Sequence, residues 1–364
     1  MSEPPATAAP VVLLAGGGTV GHLAPGFALA EALEARGARC VFTTPGEDQE
    51  ARWFEGRPPS RTVPAERLPR RPWQLPGFLL RLRRHAREAR EVLRSSGARY
   101  VVALGGWPCV PVVLAARRLG VPYGFVVPDA VPGLVVRRFR RRADRFWVAV
   151  PEAAEHLGPR ALHVGPMLRR DVIDAPRDAS VFGLAADRAT LLVTGGSQGA
   201  TAVNDWVVEG VRAALDADAS LATRLQVLHA TGAAGEAMAR EAYEAMGLAH
   251  HVTPFLAKMG SAYALADLVV GRAGAGTCAE LSAWRLPAVL VPYPHHRDRQ
   301  QHKNAQALVE AGHAVVLEQE HLDAAAFARH VLAPLVAASS RPRKQPPPPD
   351  GAARAAEDLF ARIP

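Results

Sequence analysis

A strand that runs into a glycine-rich turn and then into a helix occurs twice in this 364-residue chain, and this repetition limits the folds open to it. The first copy is VVLLAGGGTVGH at residues 11–22, and the second is ATLLVTGGSQGA at residues 189–200. Each apolar run has the length of a buried strand, and each is followed by the apolar period of a helix. The sequence therefore predicts an α/β fold with two Rossmann-like, doubly wound parallel sheets that face a cleft.

Short apolar runs bounded by glycine or proline continue the pattern after each copy. They are ARCVFTT, YVVALGG and VPYGFVVP in the first half, and RLQVLHAT, HVTPFL, LADLVVGRAGAG and LPAVLVPYP in the second. A chain of this length can bury two separate cores. We expect an N-terminal domain over residues 1–160, a C-terminal domain over 161–338, a proline-rich linker over 339–351 and a C-terminal helix within 352–364.

The spacing of Gly16, Gly18 and Gly21 matches the G-x-G-x-x-G fingerprint of dinucleotide-binding folds. Such a site also needs an acidic residue at the end of the second strand, where it binds the ribose hydroxyls. That strand ends here in threonine, and the nearest acids, Glu47 and Asp48, lie beyond a Pro-Gly pair. The pattern therefore favours another phosphate-carrying ligand over a nicotinamide or a flavin.

The formal net charge of +8 and the pI of about 10.0 favour an anionic partner. Nucleic acid, an anionic membrane surface and a phosphorylated substrate all fit this charge. No nucleic-acid-binding motif accompanies the arginines, so nucleic acid is not expected as a partner. Three widely spaced cysteines indicate neither a disulfide framework nor a zinc site, and they fit a reducing compartment. Neither a signal peptide nor a spanning helix is expected.

Two short stretches look like metal sites but lack the spacing of one. His295, His296, Asp298 and His302 cluster in HHRDRQQHKN, yet they match no standard zinc pattern. The DAD at 216–218 precedes a predicted strand, which is typical of a turn. We therefore expect neither a metal nor a cofactor.

Three segments closely resemble the MurG family: GGTVGH (17–22), GGSQGA (195–200) and the long stretch GRAGAGTCAELSAW to NAQALVEAG (271–312). The segments LGGWPCVP, VGPMLRRDV and VTPFLAKM fall in the family's order, so the resemblance covers roughly residues 10–335. MurG proteins are membrane-associated N-acetylglucosaminyltransferases of the GT-B fold that make lipid II for peptidoglycan. The resemblance implies an inverting, metal-independent transfer of N-acetylglucosamine from UDP-N-acetylglucosamine to lipid I.

The resemblance also implies donor contacts. Ser197 and Gln198 would hold the diphosphate at a helix N-terminus, and Arg169 would face the charge that grows on the departing UDP. Glu280 would accept both ribose hydroxyls, and the backbone of Leu256 would contact the uracil. The other implied contacts are Thr19, Val20, Gly21, Asp129, Ala275, Gly276, Thr277, Gln300 and Gln301, with Asn304 on the helix behind the glutamines.

Two of these assignments have structural alternatives. Thr277 and Glu280 form T-x-x-E, which is also the capping box of a helix that would start at this point. By spacing alone, Arg169 is equally compatible with an ordinary surface arginine.

His22 is the candidate for acid–base work. It follows the first glycine turn, in the half that would hold the acceptor, and histidine titrates in the range needed to take a proton from a sugar hydroxyl. The alternative is a structural histidine at a helix start.

The stretch RRPWQLPGFLLRLRRHAREAR (70–90) mixes apolar side chains with arginines. Such a patch fits docking on an anionic membrane interface, and a lipid-linked acceptor would call for it. The apolar members are Trp73, Leu75, Phe78, Leu79 and Leu82. The alternative is an ordinary buried helix with a charged outer face. A second basic cluster lies at 135–145, and we expect the protein on the cytoplasmic face of the cell membrane.

Two positions depart from the family's pattern. Val20 stands where the family has glycine, and VVPD (126–129) stands where the family has H-E-Q-N, so Asp129 occupies the asparagine position. A carboxylate there would repel a diphosphate unless a cation offsets it. Two rival functions follow from this departure: transfer to a different lipid acceptor, and binding of a UDP-sugar without catalysis.

Overall fold

We analysed a computed structural model of the protein, which describes residues 9–17, 20–46, 54, 60–69, 71–196, 199–295, 299–338 and 350–364. The chain forms two compact units. The first comprises Met1–Arg169 together with Pro349–Pro364, and the second comprises Arg170–Pro348. Each unit contains one parallel sheet with helices on both faces, so the predicted pair of Rossmann-like sheets is confirmed.

The strands of the first unit are β1 (Val11–Ala15), β2 (Arg39–Thr44), β3 (Arg61–Thr62), β4 (Ala98–Ala103), β5 (Tyr123–Val127), β6 (Arg145–Val148) and β7 (Ala161–His163). They pair in parallel in the order β3-β2-β1-β4-β5-β6-β7. Successive residues of β1 enter different cores, Leu13 on one face of the sheet and Leu14 on the other. Because both faces are covered, the strand is apolar throughout rather than alternating.

The helices of the first unit are α1 (Val20–Glu34), α2 (Leu75–Ser96), α3 (Val110–Leu119), α4 (Leu134–Phe139), α5 (Pro151–Leu157) and the C-terminal helix (Gly351–Phe360). Helix α1 lies close to the end of β4 because α1 has a glycine, Gly26, at the point of contact. A Cβ atom on Gly26 would lie 2.4 Å from Cδ1 of Leu104, the buried residue that follows β4. This close approach brings the start of α1 to the carboxyl edge of the sheet.

The C-terminal helix belongs to the first unit and packs against α1. Its buried Leu359 shares a core with Leu23 of α1. Asp358 accepts two hydrogen bonds from the Arg145 guanidinium, at 2.7 and 3.0 Å, and one from the Trp147 indole at 2.9 Å. The last helix therefore supports the element that carries His22.

The strands of the second unit are β8 (Ala189–Thr194), β9 (Leu225–Ala230), β10 (Ala249–Thr253), β11 (Leu268–Gly271), β12 (Ala288–Leu290) and β13 (Ala314–Val316). They pair in parallel in the order β10-β9-β8-β11-β12-β13. The helices are α6 (Arg170–Ile173), α7 (Thr201–Ala217), α8 (Leu221–Arg224), α9 (Glu236–Ala245), α10 (Met259–Leu265), α11 (Ala275–Trp284), α12 (Gln300–Glu310), α13 (Ala324–Phe327) and α14 (Ala333–Ala338). Within the described residues, no helix is both long and apolar enough to cross a membrane.

Candidate functional site

In each unit the strand order changes direction at the strand that precedes the glycine turn. β1 has β2 on one side and β4 on the other, and β8 has β9 and β11 as neighbours. In open parallel sheets, ligands bind beyond the carboxyl ends of the strands at this switch point. We therefore expect a ligand to bind at these two edges.

At the edge of the first unit, the His22 ring lies against the turn that follows β4. A Cβ atom on Gly106 would lie 3.3 Å from Cε1 of His22, and one on Gly105 would lie 3.5 Å from its Cδ2. Both glycines have positive φ angles, +69° for Gly106 and +93° for Gly105, which side-chain-bearing residues rarely adopt. The turn thus leaves room for the imidazole at the sheet edge.

Burial lowers the pKa of His22 below its usual value of 6.5. The carboxylate of Asp129 and a backbone hydrogen bond with Gly17 act in the opposite direction and raise the pKa in part. Asp129 follows β5, the neighbour of β4, at the same edge. The imidazole is therefore neutral near pH 7, the form that can accept a proton.

Residues 20 and 21 form the first turn of α1, directly before His22. Thr19 lies outside the described residues. In this first turn, the backbone N–H groups have no carbonyl partner within the helix, so they are available to a ligand or to the preceding loop.

At the edge of the second unit, the turn between β8 and α7 depends on close backbone packing. A Cβ atom on Gly199, whose φ angle is +76°, would lie 2.3 Å from the carbonyl oxygen of Thr231. One on Gly195 would lie 2.3 Å from the backbone nitrogen of Ala200. Ala200, the N-cap residue of α7, supplies no side-chain cap, and the positive end of the helix dipole lies at this turn. Ser197 and Gln198 lie outside the described residues.

A buried polar network, which was not predicted from the sequence, lies behind this turn. His229 of β9 bonds through Nδ1 to the Tyr243 hydroxyl (3.0 Å) and through Nε2 to Oδ1 of Asn204 on α7 (3.1 Å). Asn204 in turn donates to the carbonyl of Thr231 at 2.9 Å, the carbonyl against which Gly199 packs. Burial lowers the pKa of His229 to about 3, so this ring stays neutral.

A second glycine turn joins β11 to α11, and it reaches the same edge because β11 pairs with β8. Helix α11 begins at Ala275 with Gly274 as its N-cap, and no side chain caps it. Gly276 and Thr277 therefore lie inside the first turn, and the T-x-x-E capping box that the sequence offered as an alternative does not form. The helix starts too early for Thr277 to act as its N-cap.

Without a capping role, Glu280 has a different partner. Its half-buried carboxylate accepts a hydrogen bond from the hydroxyl of Tyr263 on α10, at 2.8 Å. Leu256 precedes α10, and its side chain is buried in the core of this unit. The core therefore anchors the loop whose backbone was predicted to contact the uracil. Arg169 lies directly before α6, at the point where the first unit ends.

The two glutamines begin α12. Gln301 accepts a hydrogen bond from the backbone N–H of Tyr293 at 2.8 Å, which ties the helix to the loop after β12. Gln300 occupies the first helical position, and Asn304 lies one turn further along, on the same face.

The histidines near α12 do not form a metal site in the described part of the chain. His302 bonds to Glu318 at 2.7 Å, and no group of three or more His, Cys, Asp or Glu side chains there could hold a metal ion. His296 and Asp298 lie outside the described residues. Asp218 of the DAD sequence accepts bonds from the N–H and hydroxyl of Ser220 in a turn after α7, the structure predicted for it.

The stretch predicted to dock on a membrane forms a short 3-10 turn and α2. Its exposed apolar residues, which we call the α2 patch, are Trp73 (72% exposed), Leu75, Leu79 and Leu80 (65% exposed). The Arg71 guanidinium lies 5.5 Å from the centre of the Trp73 ring, and arginines at 81, 83 and 84 are exposed beside the patch.

Phe78 was predicted to belong to the docking surface, and this prediction is wrong. It is 4% exposed and packs edge-on against Trp107, because it lies on the inner face of α2. Leu82 is half-buried against the same core. Leu80 was not identified because it interrupts the helical spacing of the other apolar residues.

Two protein-family models match the chain in order. The glycosyltransferase family 28 N-terminal domain matches residues 12–148, and the glycosyltransferase family 28 C-terminal domain matches residues 190–355.

Two curated relatives match over most of their length, and both are named UDP-N-acetylglucosamine–N-acetylmuramyl-(pentapeptide) pyrophosphoryl-undecaprenol N-acetylglucosamine transferase. The protein from Acidothermus cellulolyticus is 41% identical over 91% of this chain and 90% of its own length. The one from Sorangium cellulosum is 37% identical over 97% of this chain and 89% of its own. The crystal structure of Acinetobacter baumannii MurG superposes with a TM-score of 0.67 at 23% identity, covering 97% of this chain and 100% of that one, so the fold is shared.

Proposed function

The chain belongs to glycosyltransferase family 28, among its MurG members, and we propose that it transfers N-acetylglucosamine from UDP-N-acetylglucosamine to lipid I. The acceptor is a muramoyl-pentapeptide linked through a diphosphate to undecaprenol, and the product is lipid II, the precursor of peptidoglycan. The observation that carries this function is the 37–41% identity to transferases of this one name over more than nine-tenths of the chain.

For the donor, we assign the nucleotide to the edge of the second unit. The starts of α7 and α11, whose N-cap residues Ala200 and Gly274 supply no side-chain cap, lie at the carboxyl ends of the paired strands β8 and β11. Their N–H groups and dipoles favour a diphosphate. We assign the diphosphate to Ser197, Gln198 and Arg169, and the ribose to Glu280. The remaining donor contacts are those implied by the resemblance: Thr19, Val20, Gly21, Asp129, Leu256, Ala275, Gly276, Thr277, Gln300 and Gln301.

For catalysis, we assign His22 as the general base. Its neutral imidazole takes the proton from an acceptor hydroxyl while that oxygen attacks the anomeric carbon of the donor. The bond from the anomeric carbon to the diphosphate breaks in the same step, so the configuration inverts and UDP leaves as an anion. Main-chain N–H groups and the Arg169 guanidinium would stabilise the charge on that leaving group.

The departure at Asp129 does not favour the rival functions. Its carboxylate acts on His22, where it stabilises the protonated imidazole that forms during the reaction. The two curated relatives described above carry the name of one reaction, with a muramyl-pentapeptide acceptor.

For localisation, we propose a peripheral position on the cytoplasmic face of the cell membrane. The exposed Trp73, Leu79 and Leu80 of the α2 patch, with arginines beside them, match the pattern of a surface that inserts shallowly into an anionic interface.

The function is tested by incubating the purified protein with radiolabelled UDP-N-acetylglucosamine and purified lipid I, and by identifying the product by thin-layer chromatography and mass spectrometry. We expect lipid II and UDP in equal amounts. Binding of UDP without any product, or a labelled product on diacylglycerol but not on lipid I, would reject the proposed reaction.

A further inference from the structure

The ring of Tyr263 is fully buried in the core of the second unit, in a helix, α10, whose side chains are mostly buried. Its hydroxyl reaches Oε2 of Glu280 at 2.8 Å. Because packing holds the ring, the hydroxyl cannot follow the carboxylate if the Glu280 side chain rotates away.

The direction of this hydrogen bond is settled by the chemistry of the two groups. Burial, together with the charge of Glu280, raises the pKa of Tyr263 well above its usual value. The phenol therefore keeps its proton and donates a hydrogen bond to the carboxylate, which as an anion can only accept. A buried hydroxyl that lost this acceptor would be left unsatisfied, so the pair resists separation.

Glutamate has three rotatable side-chain bonds, and a binding carboxylate that starts from many rotamers must lose that freedom when the ligand binds. A side chain already held by a fixed donor loses less, and the ligand is bound more tightly. Since α11 begins at Ala275, Glu280 is not engaged in capping its helix.

We propose that Tyr263 is a positioning residue whose hydroxyl holds the Glu280 carboxylate in the orientation that accepts the ribose hydroxyls of the uridine nucleotide. This inference rests on the proposed function, since it takes the bound ligand to be a uridine diphosphate. Tyr263 then acts through Glu280 and not on the substrate.

The test uses ligands that differ only at the ribose. Isothermal titration calorimetry measures the binding of UDP and of 2′,3′-dideoxy-UDP to the full-length protein and to its Tyr263→Phe variant. We expect the variant to bind UDP about tenfold more weakly, a loss of about 1.4 kcal/mol, and to bind dideoxy-UDP within twofold of the wild type. In steady-state assays, KM for UDP-N-acetylglucosamine rises by a similar factor while kcat changes less than twofold.

The matched control is Tyr243→Phe. Tyr243 is equally buried in the same unit, but its hydroxyl bonds to His229 and not to Glu280. This variant should leave the ratio of the UDP and dideoxy-UDP affinities unchanged, because it removes a buried hydroxyl that has no role at the ribose.

Equal weakening of both nucleotides by Tyr263→Phe, or weakening of neither, overturns the positioning role while the proposed function stands. A wild-type protein that binds no UDP rejects the proposed function and this inference together. Should Tyr263→Phe fail to fold, site-specific 3-fluorotyrosine at position 263 keeps the hydroxyl and serves instead. Its ¹⁹F resonance should shift with UDP and stay unchanged with dideoxy-UDP, and identical responses to the two nucleotides count against the inference.

Discussion

His229 is fully buried and His22 is half-buried, and desolvation lowers the pKa of both, yet their surroundings differ. His229 lies inside the second unit, where its two ring nitrogens are hydrogen-bonded to Tyr243 and Asn204. His22 lies at the edge proposed to bind the ligand, where the Asp129 carboxylate raises the pKa that desolvation lowers. Desolvation alone therefore does not mark a catalytic histidine. At a sheet edge that could bind a ligand, a nearby charge that favours the protonated form suits a general base, because a base must be able to hold the proton it takes.

The largest effect that would separate the two histidines is on turnover. Replacing His22 by alanine should lower kcat by about 10²–10⁴-fold, because the proton acceptor is lost, while UDP affinity stays within twofold. Stopped assays with lipid I and calorimetry with UDP measure the two quantities. An unchanged kcat would show that His22 is not the base, and the two histidines would then be alike in role.

For His229, we expect the larger effect on stability. His229→Ala leaves Tyr243 and Asn204 with unsatisfied groups and opens a cavity, which should cost about 2–4 kcal/mol of unfolding free energy. Urea unfolding followed by circular dichroism measures this loss. The control is His321→Ala, at an exposed histidine of the same unit, which should change stability by less than about 0.5 kcal/mol. An equally small loss for His229→Ala would contradict the structural role.

The pH dependence of stability sharpens the comparison. His229 has a folded pKa of about 3 and an unfolded pKa near 6.5, so below pH 6.5 the unfolded chain binds a proton that the folded one does not. Above pH 6.5 this difference in proton binding vanishes, and the free energy of unfolding is not reduced. Below pH 6.5 the free energy of unfolding falls by about 1.4 kcal/mol for each unit by which the pH is lowered. Between pH 7.5 and 5.0, the wild type should lose about 2 kcal/mol more than His229→Ala. Parallel pH profiles for the two proteins would refute the assigned neutral state.

The smallest effect concerns Asp129. Its carboxylate raises the pKa of His22, so Asp129→Asn should lower that pKa and move the acid limb of the kcat/KM profile to lower pH. Because a weaker base takes the proton less readily, turnover above pH 8 should fall by roughly two- to fivefold. Asp187→Asn, at an exposed aspartate, is the control and should leave the profile in place. A profile that moves to higher pH would mean that Asp129 does not act on His22.

Much of the fold followed from local pattern. The strands β1, β2, β5, β8 and β9 were recognisable because buried parallel strands are continuous apolar runs bounded by turn residues. The strands β3, β6, β7 and β13 were not predicted, and three of them, β3, β7 and β13, have only two or three residues, which carry no period. Pairing with longer neighbours stabilises such strands, and that information is not local.

The candidate site, like the fold, was predictable only in part from the sequence. The glycine turns identify the sheet edges, and the family resemblance points to Glu280 and His22. Tyr263 carried no signal, because a tyrosine in an apolar helix has the pattern of an ordinary core residue. Its contact with Glu280 spans 17 positions in sequence and two helices.

The amino-acid sequence by itself determined the repeated strand–glycine–helix units, the family and the positions of the two sheet edges proposed to bind ligands. These depend on period, on backbone conformations that only glycine adopts readily and on motif spacing, all of which are local properties of the chain. The tertiary structure alone decided which helix face of 75–96 is exposed, that Glu280 binds a tyrosine and does not cap its helix, and that the last helix supports α1. Each of these depends on which distant segments share a core and remove one another from water, and a side chain's pKa and partners are set by that enclosure.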